Sequence, residues 1–147
     1  MIKSLKEAVE IDRIKIKVAA GQATTTSDVV DMSAFESVMF LIALGTVTAT
    51  GICTAKIQQS DASGSGFADL EGSSIVSTGT GSSNKIMQME LINPQKRYLK
   101  VVAVTSVANV EIDSIVAHKF GAKKVPITAN ADIDVAEQNI APAEGTA

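Results

Sequence analysis

Residues 37–55, "SVMFLIALGTVTATGICTA", carry no charge, and their reading decides the fold. Nineteen uncharged residues are about enough to cross a bilayer as a helix. Gly45 and Gly51 interrupt the run, however, and threonines alternate with apolar residues through its second half. Alternation of that kind is the period of a strand, so the stretch reads as two strands joined at Gly45 in preference to a membrane helix. Val38–Leu44 is apolar on both faces, as a central strand must be.

The same period runs outward in both directions. In residues 13–19, Ile14, Ile16 and Val18 alternate with Lys15 and Lys17, predicting a half-buried strand. Val47–Thr50 and Ile52–Gln59 read as shorter strands, with Phe67–Leu70 and Ser74–Ser77 as brief ones. Ile86–Ile92 carries flexible methionines suited to an irregular core. "RYLKVVAVT" (97–105) and "VEIDSIVAH" (110–118) complete the set, the latter turning Glu111 and Asp113 away from Val110 and Ile112. Gly-, Ser-, Asn- and Pro-rich turns separate these pieces, and no stretch supports a long helix. The expected fold is all-β, an antiparallel β-sandwich of jelly-roll type. Residues 1–12 form an N-terminal arm or short helix, 13–121 the sandwich, and 122–147 an extended C-terminal tail.

Composition narrows the function. Aromatics make up 3% of the chain and tryptophan is absent, which disfavours glycan modules and base-stacking readers. All 13 basic residues precede residue 125, whereas Asp132, Asp134, Glu137 and Glu144 leave the tail purely acidic. Nucleic-acid binding needs a concentrated basic stripe, so none is expected. The lone Cys53 permits neither an internal disulfide nor a multi-cysteine zinc site; in its strand it reads as a small buried hydrophobe. No signal peptide is expected at the N-terminus.

Candidate chemistry fails on spacing. In "KIQQSDASGSGFADLEGSS" (56–74), Asp61 has no further acid until Asp69 and Glu71, too sparse for a calcium loop. "GTGSSNKI" (79–86) places Asn84 where a phosphate loop requires glycine before its lysine. The single histidine, His118, has no serine in a nucleophile elbow to serve. No enzyme, metal, cofactor or small-molecule substrate is expected, and the 61–73 loop reads as architecture: a polar bend between strands, with Phe67 and Leu70 returning to the core.

The order "KIQQSD", "FADLEGSS", "NPQKRYLKVVA", "FGAKKVPIT" and "APAEGTA" resembles a group of tailed-bacteriophage head proteins, the small capsid decoration or cement proteins, over residues 13–147. The resemblance implies a sandwich on the outer surface of the virion capsid, made in the bacterial host cytoplasm. It would bind the major capsid protein and itself, as a homodimer or homotrimer, with no membrane involved. The alternatives are another phage structural component, such as a head-fibre base or tail protein, or a non-catalytic ligand- or glycan-binding sandwich. Apolar residues on both arms are the expected partner contacts: Ile2, Leu5 and Val9 at the N-terminus, and Val125, Ile127, Ile133, Val135 and Ile140 in the tail.

Overall fold

A computed structural model describes residues 4–138. In chain order its strands are β1 (Glu10–Lys15), β2 (Val18–Gly21), β3 (Thr24–Thr26), β4 (Val30–Asp31), β5 (Phe35–Val47), β6 (Ile52–Ser60), β7 (Ala68–Asp69), β8 (Ile75–Thr78), β9 (Ile86–Ile92), β10 (Tyr98–Ser106) and β11 (Val110–Ala122). They form two antiparallel sheets packed face to face, an all-β sandwich. The first sheet runs β1–β11–β5–β9, with β2 following β1 along the same side of β11. The second runs β3–β10–β6–β7, with β4 beside β3 on β10 and β8 beside β7 on β6.

The alternation read from the sequence sets the core. Val38, Phe40, Ile42 and Leu44 of β5 and Ile112, Ile115 and Ala117 of β11 face Cys53, Ala55 and Ile57 of β6 and Leu99, Val101 and Ala103 of β10. Each fully buried Phe, Leu or Ile side chain contributes about 1.5–3 kcal/mol. Met87 and Met89 close the β9 side, the gap-filling role expected of them.

Several expectations about boundaries need correction. The turn does not fall at Gly45, because β5 continues through it to Val47. The chain reverses at residues 48–51, where Gly51 N–H donates to Thr48 O at 2.8 Å and Thr50 adopts a positive φ of 68°. Val47–Thr50 is therefore not a separate strand. Gly45 serves a bulge instead: the β5–β11 register shifts on both sides of Ile112, bringing the Glu111 and Asp113 side chains over the glycine.

The strand expected over residues 13–19 begins earlier, at Glu10, and breaks after Lys15. The helical spacing at the N-terminus yields only one 3-10 turn, Leu5–Glu7. β11 in turn runs past His118 to Ala122, since Lys119 continues the inward alternation with its charge paired. Among the described residues, no helix is long and apolar enough to cross a membrane.

Both edges of the second sheet are built from two short strands bridged by a serine. Between β3 and β4, Ser27 N–H donates to Val101 O at 2.9 Å, while its hydroxyl accepts from Val101 N–H at 2.9 Å and donates to Asp28 O. Between β7 and β8, Ser73 Oγ accepts from Ile57 N–H at 3.0 Å and donates to Leu70 O at 2.8 Å. Each hydroxyl replaces the carbonyl of a missing strand residue, so the buried ladder stays satisfied across the break.

Candidate partner interface

The 61–73 loop is held by internal bonds. Ser60 Oγ accepts from Ala62 N–H and donates to Ser65 O. Asp61 pairs with Lys96, and Asp69 with Lys56 and Gln58. Hydrogen bonds from Lys56 and Gln58 hold the Asp69 carboxyl below its ordinary value, so its oxygens are occupied by protein donors. Leu70 packs on the core and Phe67 lies under the Lys100 ammonium, 4.2 Å from the ring centre. In the 79–86 stretch, Ser83 Oγ accepts from Val47 N–H and pins the turn to the end of β5. Cys53 is buried, and burial pushes its thiol up to about 11, which keeps it from forming a thiolate.

His118 faces outward from the first sheet, its cross-strand neighbours being Ile11 and Met39. With Phe120 these side chains floor a groove of about 800 Å³. The walls of that groove come from both chain ends: Leu5, Ala8 and Val9 on one side, and Ala129, Ile133 and Val135 on the other.

Four contacts bring the ends together. Ile127 N–H donates to Glu7 O at 3.0 Å, and its side chain packs against the core. Arg13 N–H, on the outer edge of β1, donates to the Asp132 carboxylate at 2.8 Å. The Asn130 amide donates to Asp12, and Lys6 Nζ reaches Ala136 O at 3.5 Å. Beneath them, buried Lys119 bridges Glu10 at 2.9 Å and Asp12 at 2.8 Å. Burial opposes the charge on Lys119, but the hydrogen bonds to Asp12 and Glu10 outweigh it and leave its pKa raised.

The structure thus joins what the sequence had treated as separate arms. Leu5, Val9, Ile133 and Val135 share one groove, Ile127 packs against the core and not in the groove, and Val125 stands exposed. Ile2 and Ile140 lie outside the described residues. Sequence reasoning missed the supporting residues Glu10, Asp12, Lys119, Asn130 and Asp132. One signal for them existed: in "EIDRI", Glu10 and Asp12 share the parity of Ile14 and so point toward the core, where charges require partners.

Beside the start of β5 a smaller cavity of about 440 Å³ is bordered by Lys96, Arg97 and Lys123. Their charged ends are engaged by Asp61, Asp31 and Ser33 O respectively. No protein-family model matches this sequence, and no curated protein matches it.

Proposed function

We propose that this chain is a structural virion protein that decorates the outside of a phage head and strengthens contacts between major capsid protein subunits. The motif order from "KIQQSD" to "APAEGTA" supports this reading, and an all-β sandwich is compatible with it. The observation that carries it is the groove made by both chain ends. Leu5 is 76% exposed and Val135 83% exposed at its rim, so a large apolar surface is presented by a segment that is itself hydrogen-bonded in place. A preordered surface costs less entropy to dock than a loose arm.

The mechanism is adhesion. A clamp that binds the assembled lattice better than its separated subunits stabilises the shell by mass action, and several weak contacts per particle add through effective concentration.

Titrating purified chain onto expanded heads of the phage that encodes it, grown without the protein, tests the proposal. Saturable binding at a fixed stoichiometry is expected, with Leu5→Asp and Val135→Asp each weakening it on the order of tenfold. Deleting residues 125–147 is expected to leave the sandwich folded and binding weaker. Absence of wild-type binding to expanded heads would refute the assignment.

A further inference from the structure

The sandwich has four sheet edges, and three are interrupted. Ser27 and Ser73 mark the breaks in the second sheet, while the β1–β2 edge is broken after Lys15 and has its Arg13 N–H capped by Asp132. Such breaks are how proteins prevent unwanted strand pairing. The fourth edge, β9, runs from Ile86 to Ile92 without a bulge, a proline or a lysine.

The hydrogen-bond phase of β9 identifies which groups it offers. Leu44 N–H donates to Lys85 O at 2.8 Å and Asn93 N–H donates to Glu36 O at 2.9 Å. Odd-numbered residues from Lys85 to Asn93 therefore turn their backbone groups toward β5. Ile86, Gln88, Glu90 and Ile92 direct theirs outward, and among the described residues these groups have no backbone partner. Their side chains lie on the outer face, where Ile86 is 62% and Ile92 63% exposed.

We propose that β9 pairs antiparallel with β9 of a second copy, about a two-fold axis through Met89. The strand is complementary to itself in this register alone. Ile86 meets Ile92 of the other copy, and Gln88 meets Glu90, an amide donor against a carboxylate acceptor. On the inner face Met87 meets Leu91 and Met89 meets its own counterpart, extending the core across the axis. Every outward N–H and C=O finds a partner, because the paired residues are all of the outward-facing parity. Moving the axis to Glu90 would oppose two carboxylates, and moving it to Gln88 would leave Ile92 unpaired. The argument uses only the edge and holds whatever the sandwich binds.

Sedimentation equilibrium of the full chain tests this. A species of twice the 15.3 kDa chain mass is expected. Gln88→Glu sets like charges against Glu90 at two symmetric positions and weakens the dimer on the order of tenfold, whereas Gln88→Lys tightens it severalfold. Gln88→Glu combined with Glu90→Lys restores it. Both positions are exposed, so each variant is expected to fold, which a thermal melt checks. A wild-type monomer up to about 100 µM, an affinity too weak for a specific pair, overturns the proposal. So does a trimer, or a dimer indifferent to these substitutions.

Discussion

A methyl group placed on Gly45 would lie 2.6 Å from Oε2 of Glu111, the carboxylate that also accepts from Thr46 N–H at 3.2 Å and pairs with Lys17 at 2.5 Å. The glycine makes room for a charge that caps a bulge between the two longest strands. Gly45→Ala is expected to cost about 1 kcal/mol, modest because the side-chain end can shift. The cost should shrink in a Glu111→Ala background without vanishing, because Asp113 Oδ1 would still lie 2.9 Å from the methyl, as denaturant melts of the four proteins in a double-mutant cycle would show.

Ser27→Ala removes the acceptor for the buried Val101 N–H, and Ser73→Ala does the same for Ile57 N–H. Each is expected to lower stability by about 1–3 kcal/mol, the penalty for an unpaired buried donor. Amide hydrogen exchange should report the loss locally, fastest at Val101 and at Ile57 respectively. An unchanged exchange rate at those amides would contradict the bridging role.

Lys119→Met leaves Glu10 and Asp12 without their buried cation and is expected to cost roughly 3–5 kcal/mol. Combining it with Glu10→Gln and Asp12→Asn should recover most of that loss, since no uncompensated charge remains. Because the folded-state pKa of Lys119 is raised, its contribution is complete below the unfolded lysine value near about 10.4 and fades as pH climbs through the folded one. Melting temperatures measured in alkaline buffers should fall more steeply for wild type than for the triple variant.

Asp31 titrates at the opposite extreme. Hydrogen bonds from the Arg97 guanidinium, with help from Ser33 N–H, outweigh partial burial and hold its carboxyl well below the usual range. Its stabilising effect is therefore present above the unfolded aspartate value near about 3.9 and is lost as pH falls through the folded one. Asp31→Asn should flatten the acid limb of a melting-temperature profile. Salt should weaken the wild-type effect, since both partners are substantially exposed.

Several strands were legible in advance. Ile86–Ile92 is a strand over the expected bounds although its sequence alternates imperfectly, and the charge-free run around Phe40 is a central strand as its two apolar faces required. Glycine was the ambiguous letter. At Gly45 a turn and a bulge leave the same mark in the sequence, and only the position of Glu111 across the sheet distinguishes them. The serine bridges were not legible at all, because Ser27 and Ser73 resemble every other turn serine until Val101 and Ile57 stand opposite.

The groove divides along the same line. Its apolar residues could be picked out of the two arms, since Leu5, Val9, Ile133 and Val135 interrupt polar surroundings. Their meeting could not, because it depends on hydrogen bonds spanning more than a hundred residues, such as that from Arg13 to Asp132.

By itself, the order of residues determined that this chain builds a layered β-protein, since side-chain period is a local property and burial follows it. Which edges are closed, which charge needs a glycine beneath it, and where the two ends converge were decided in three dimensions. Those outcomes depend on pairing register, and register exists only once distant strands have found each other.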